Sequence, residues 1–182
     1  FTQEEIDELL KYYNLMDKHQ EMKEWYDGYL FGRTEIYNSW SALNYIKKLL
    51  NDDHFQAVSF WANTSSNDLV KTYIEYATMT MKEEFERLIN GQSITKKIVP
   101  ELTYREMDFH SIQTMNDNVY SFLLFTGYLK IKSKVNGDHP YTYELVIPNK
   151  EVRYIYEDIF MKWFDSYQRK RDSSFIEALI QE

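Results

Sequence analysis

The apolar pattern changes period close to Gly91, and this change constrains the fold more than any other feature of the chain. Before it, apolar residues recur every three to four positions between helix-capping residues. After it, β-branched and alternating runs take over. Side chains of a helix and of a strand reach a core at different spacings, so a segment patterned for one packs badly as the other. The expectation is a mainly α chain with minor β, an α+β fold. A helical subdomain would span 1–91 and an α+β subdomain 92–182, with a shared interface. Strands across 40–90 or a long parallel sheet would contradict this reading.

Thr2 and Glu5 have the spacing of a capping box, and Ile6, Leu9, Leu10 and Tyr13 fall on one face of a helix over about 3–13. Asp17 is placed to cap a short helix carrying Met22, Trp25 and Tyr26, which Gly28 ends. Residues 27–37 read as a turn or small hairpin. Asn38 or Ser39 then caps a helix whose stripe is Trp40, Leu43, Ile46, Lys47 and Leu50. Asn63 to Asp68 caps a helix carrying Leu69, Tyr73, Ile74 and Tyr76. Thr80 and Glu83 make a second capping box, before Phe85, Leu88 and Ile89 and the stop at Asn90-Gly91.

Past Gly91, residues 93–99 predict a strand and Thr103 a short helix. Asn116 or Asp117 opens an apolar helix over Val119 to Phe125, closed by Gly127. Tyr128 to Val135 and Tyr141 to Ile147 flank an Asn136-Gly137 turn, the strongest short hairpin signal. Pro148 breaks the second strand. A helix resumes with Val152, Ile155, Tyr156, Ile159, Trp163 and Phe164 on one stripe, and a last one starts near Ser173. Helix, hairpin, helix over 116–168 is the order of a winged-helix-like unit, although other folds share it.

Charge and motifs exclude several functions. The net charge of -8 repels a polyanion unless basic residues are segregated, and the lack of cysteine removes disulfides, thiolate metal sites and a thiol nucleophile. With no span-length apolar run and no leader pattern, the chain is expected to be soluble, cytoplasmic and without a membrane partner. It starts at Phe1 and enters a helix signal at once, the expected look of a segment of a longer protein. No glycine-rich phosphate loop and no G-x-S-x-G elbow is present, so no catalytic residue is assigned. His19, His54, His110 and His139 stand singly in polar surroundings, without metal-ligand pairing. Asp7-Glu8, Asp52-Asp53 and Glu83-Glu84-Glu86 suit solvation and helix ends. Asp138 and Glu144 bracket a strand as nuclease acids do, but Val146 stands where the lysine belongs.

Four strings point to a family. They are Trp25-Tyr26-Asp27-Gly28-Tyr29-Leu30-Phe31-Gly32, Ile36-Tyr37-Asn38-Ser39-Trp40-Ser41, Phe60-Trp61-Ala62-Asn63-Thr64-Ser65-Ser66-Asn67 and Ile147-Pro148-Asn149-Lys150-Glu151-Val152-Arg153. In this order, and with Phe122 to Leu129, the chain resembles bacterial AAA-type ATPases that carry a C-terminal PD-(D/E)XK-like nuclease domain. Ser39 departs from the pattern, which usually has proline there. The resemblance implies that the chain lies between the two: a lid-like helical part, then a connection to the nuclease. It implies a non-catalytic coupling role, with the upstream ATPase core and the downstream nuclease-like domain as partners. No cofactor is expected in this segment; ATP and Mg²⁺ would belong to the rest of the parent protein.

Two surfaces remain as candidates. Residues 26–40 hold five aromatics and two glycines, more apolar surface than so short a turn needs for its own burial. Tyr26, Asp27, Tyr29, Phe31 and Trp40 are therefore expected to face a partner, the alternative being an aromatic turn packed inward. Arg169, Lys170 and Arg171 follow a helix that also carries Lys150, Arg153 and Lys162. They either complement the helix dipole or contact phosphate in a nucleic-acid-binding, winged-helix-like module.

Overall fold

The structure, a computed structural model, describes residues 1–63, 70–72, 77–101, 112–135 and 140–162. It is an α+β fold with two small antiparallel sheets. Helix α1 (Gln3–Tyr12) opens with the expected capping box: Thr2 Oγ1 accepts from the Glu5 amide and Glu5 Oε2 accepts from the Thr2 amide at 2.9 Å. A 3₁₀ turn (Met16–Lys18) then runs directly into α2 (His19–Tyr26). Because the turn feeds the helix without an extended residue between them, Asp17 does not cap α2 as expected, and no side chain does.

Helix α2 ends at Asp27, and Gly28 comes next at φ +94°. A Cβ there would lie 2.6 Å from the Pro148 carbonyl oxygen, so both the backbone angle and the close approach demand glycine. Strands β1 (Tyr29–Phe31) and β2 (Thr34–Ile36) form the small hairpin, with Tyr29 opposite Ile36. Asn38 caps α3 (Ser39–Leu49). No strand occurs among the described residues of 40–90.

Helix α4 (Met79–Ile89) starts before the Thr80–Glu83 box: Thr78, extended at ψ 164°, accepts from the Met81 amide, and Met81, Phe85 and Leu88 are buried. Met81 and Phe85, four residues apart, share the inner stripe. Strand β3 (Ile94–Lys97) precedes α5 (Ile112–Phe125), which runs straight through Asn116 and Asp117. Their cap preference yields to continuation of the helix on both sides. Strands β4 (Lys130–Lys134) and β5 (Thr142–Val146) pair as the expected hairpin, and β3 adds to β5, giving the order β3-β5-β4. Buried Leu145 on the central strand lies opposite both Ile94 and Ile131. Helix α6 spans 150–162, its Val152 amide capped by Asn149 Oδ1 at 3.0 Å. The helices expected from Thr103 and Ser173, the cap over Asn63 to Asp68, and Trp163 and Phe164 lie outside the described residues or side chains.

Two hydrophobic cores result. The first joins α1, α2 and α3 through Ile6, Leu10, Met22, Tyr26, Tyr45 and Ile46. The second joins α4, the three-stranded sheet, α5 and α6 through Phe85, Tyr120, Leu145 and Tyr156. The cores part between Ala57 and Val70, so α4 packs with the sheet and the helices on its C-terminal side. Gly91 marks a change of secondary structure within the second core.

Candidate functional site

The two cores meet at a seam whose centre is Glu151, in the first turn of α6. Its carboxylate is wholly buried and accepts from Ser41 Oγ at 2.7 Å, the Phe60 amide at 2.9 Å, the Trp61 amide at 3.0 Å and Asn38 Nδ2 at 3.4 Å. Burial pushes its pKa up, and the donors from Ser41, Trp61, Phe60 and Asn38 pull it back. With both oxygens engaged and no solvent access, the group suits a joint and not a proton transfer.

Other contacts reinforce the seam. Asn149 Nδ2 donates to the Asp27 carbonyl at 2.8 Å, Lys150 pairs with Glu24 at 2.5 Å and Lys130 with Glu35 at 3.1 Å. Trp25 stacks on Tyr154 at 5.1 Å, and Trp61 stacks on Tyr128 at 4.8 Å while meeting the edge of Tyr29. All four strings that carry the family resemblance, and the Phe122 to Leu129 segment, contribute to this one seam.

Beside it opens a groove of about 1020 Å³ between the β1–β2 hairpin, the start of α3, the end of α5 and β4. Its lining is mostly apolar: Leu30, Ile36, Trp40, Trp61, Leu124 and Phe125, with Asn38, Thr126 and Lys130 among the polar groups. Leu30 and Phe125 are 45% and 55% exposed.

The five residues expected to face a partner divide. Tyr26 is wholly buried, its hydroxyl donating to the Val58 carbonyl at 2.9 Å, and burial pushes its pKa far up. Asp27 is also buried; one carboxylate oxygen has no donor among the described residues, and burial raises its pKa. These two are core, because α2 turns their side chains inward before Gly28 redirects the chain. Tyr29 is partly buried, packed against Trp61, with its pKa raised by burial. Phe31 and Trp40 are bare, 79% and 63% exposed, and Trp40 lines the groove.

The stripe read on α3 is also corrected. Ser41, Ala42, Tyr45, Ile46 and Leu49 face inward, while Trp40, Leu43, Lys47 and Leu50 face outward. Both faces carry apolar residues at helical spacing, so periodicity alone placed Ile46 correctly but took the other four from the outer face. Sequence reasoning also missed Glu151, whose only local signal was an acidic residue in the first turn after Pro148-Asn149.

Arg169, Lys170 and Arg171 lie outside the described residues. Among those described, no group of three or more His, Asp or Glu side chains could hold a metal ion. His19 pairs with Asp7 at 3.2 Å and His54 with Asp53 at 3.7 Å. Glu144, placed along the sequence as a nuclease acid would be, instead ties Ser93, Ser133 and Lys132 to the sheet. No described helix is long and apolar enough to cross a membrane. Comparison with protein-family models, curated proteins and solved structures finds no match.

Proposed function

We propose that this chain is a non-catalytic coupling module of a bacterial AAA-type ATPase with a PD-(D/E)XK-like nuclease domain. Its first core acts as a lid on the upstream ATPase, and its second, winged-helix-like core relays the nucleotide state to the nuclease-like domain. The observation that carries the reading is the convergence of the resembling strings on the Glu151 seam. Segments as far apart in sequence as Trp25 and Glu151 are committed to joining two cores, which is what a relay requires. A buried joint satisfied by four donors resists sliding, because any displacement orphans several polar groups at once.

Two measurements test this. The purified chain is expected to show no ATP turnover; turnover that scales with it through purification overturns the reading. In the parent protein, Glu151→Ala is expected to separate ATP binding from any nucleotide-dependent response of the nuclease-like domain. An unchanged response would refute the relay.

The strand order β3-β5-β4 with α5 before the hairpin supports a second reading, a nucleic-acid-binding winged helix. Electrostatics weigh against it. Helix α5 contains no Lys or Arg, and Lys130 and Lys132 are already paired with Glu35 and Glu144. Salt-dependent DNA binding that falls on replacing Lys170 and Arg171 by alanine would favour it.

A further inference from the structure

The outer face of α3 carries apolar side chains that neither core uses. Leu43 and Leu50 are 47% and 53% exposed. With Trp40 and Lys47 they stand at i, i+3, i+7 and i+10, a single stripe on the helix. Trp40 also lines the groove, so the stripe meets the groove at Trp40 and together they form a strip from Leu43 past Trp40 to Leu30 and Phe125, which Leu50 extends beyond Lys47. From Trp40 to Leu50 it runs for about 15 Å, nearly three helical turns. Exposed apolar side chains grouped in this way are characteristic of an interface.

The charge around the strip sets the chemistry of what covers it. The chain has 29 Asp and Glu against 21 Lys and Arg, yet neither 36–50 nor 118–135 contains any Asp or Glu. These two stretches supply α3 and most of the far wall of the groove. Glu35 is neutralised by Lys130 at 3.1 Å, and acids resume only at Asp52 and Asp53, beyond Leu50. Arg33, next to groove-lining Gly32, and Lys47, within the stripe, form no ion pair among the described residues. A strip bordered by cations that have no ion pair among the described residues, on a chain of net charge -8, is complementary to an acidic partner.

We propose that the strip binds an amphipathic helix of another polypeptide, with large aliphatic residues on its inner face and Asp or Glu along the flank that meets Arg33 and Lys47. The aliphatic residues fill the groove and lie against Trp40 and Leu43, as helices bound in apolar grooves do through their i, i+3, i+4 and i+7 positions. The carboxylates fix its orientation and disfavour basic helices. This inference does not require the coupling role: the strip and its charge are properties of the surface alone.

The probe is a stapled helical peptide of about 15 residues with leucines at i, i+3, i+4, i+7 and i+11 and glutamates on both flanks, titrated into the whole chain by calorimetry. It is expected to bind saturably, and a lysine-flanked version at least about tenfold more weakly. Trp40→Ala with Leu43→Ser, and separately Arg33→Glu with Lys47→Glu, should each weaken the glutamate peptide by at least about tenfold while the chain stays folded by circular dichroism. No binding, equal affinity for both flanks, or affinity indifferent to either pair of substitutions overturns the proposal. So does sedimentation showing that the chain self-associates through this face, since the strip is then covered by a second copy. The peptide comparison uses the unsubstituted protein, so it decides the matter even if a variant fails to fold.

Discussion

Replacing Glu151 by alanine should loosen the seam by an amount its geometry allows to be estimated. Three donors converge on Oε1, the Ser41 hydroxyl at 2.7 Å and the Phe60 and Trp61 amides at 2.9 and 3.0 Å, while Asn38 Nδ2 reaches Oε2 at 3.4 Å. Each buried donor left without an acceptor costs about 1–3 kcal/mol. Water entering the vacated space would recover part of that, and the cost of burying a carboxylate with no cation on it disappears. The expected net loss is about 3 kcal/mol, about 1 kcal/mol for each of the three donors held on Oε1. Glu151→Gln separates hydrogen bonding from charge. Its carbonyl oxygen keeps the three donors on Oε1, and its amide faces the distant Asn38 donor, so the loss should be only about 1 kcal/mol. Urea unfolding of the whole chain, monitored by tryptophan fluorescence and far-UV circular dichroism, reads both values. Because Trp25 and Trp61, two of the four tryptophans, sit in the seam, the fluorescence should move before the secondary structure in Glu151→Ala if the two cores begin to unfold separately. A loss below about 1 kcal/mol for alanine, or equal losses for alanine and glutamine, would refute the assignment of Glu151 as the joint.

Three further outcomes are expected. Gly28→Ala should cost about 2 kcal/mol or more, since its Cβ would meet the Pro148 oxygen at 2.6 Å, whereas Gly32→Ala, with φ +64° but nothing within 4 Å, should cost about 1 kcal/mol; equal unfolding midpoints for the two variants would contradict the close approach. On α3, Ile46→Ala should cost about 2–4 kcal/mol and Leu43→Ala less than about 0.5 kcal/mol, because Ile46 is buried and Leu43 is not; thermal unfolding that reverses this order would invert the helix face. Glu144 is held down to about 2 by the Ser93 and Ser133 hydroxyls and Lys132. Its folded value lies below its unfolded one of 4.5, so its stabilisation is present above that value and is lost as pH falls towards 2. Glu144→Gln should therefore flatten the fall of the urea midpoint across this window, and a wild-type midpoint that falls no more steeply than the variant's would exclude the effect.

Local chemistry was legible wherever it was self-contained. The Thr2–Glu5 capping box, the cap at Asn38 or Ser39, the turn or hairpin over 27–37 and the pairing of Tyr128 to Val135 with Tyr141 to Ile147 depend on side chains a few residues apart, and each formed in one of the ways the sequence allowed. Helix starts were less secure where two capping patterns competed. Thr78 and Thr80 offer similar groups, and it is Thr78 that accepts from the Met81 amide.

The candidate site depended on contacts between distant parts of the chain. Sequence marked Trp40 and Phe31 as partner-facing, and both are bare, but it grouped them with Tyr26 and Asp27, which are core. The aromatic count of a segment says how much apolar surface it has, not how much the rest of the fold covers. Helix α3 shows the same limit: with apolar residues on two faces, only the position of α1 and α2 decided that Tyr45 and Ile46 turn inward and Trp40 and Leu43 outward. The division of the cores was likewise invisible, because Met81, Phe85 and Leu88 show that α4 has a buried face without showing what it is buried against. Sequence by itself determined the type of most described elements and the caps at Thr2 and Asn38, since these are set by interactions within about a turn of helix or one hairpin. The tertiary structure alone decided the Glu151 seam and the groove beside it, since a carboxylate becomes a joint only when donors about 90 and 110 residues away, Phe60, Trp61 and Ser41, are brought within hydrogen-bonding distance of it.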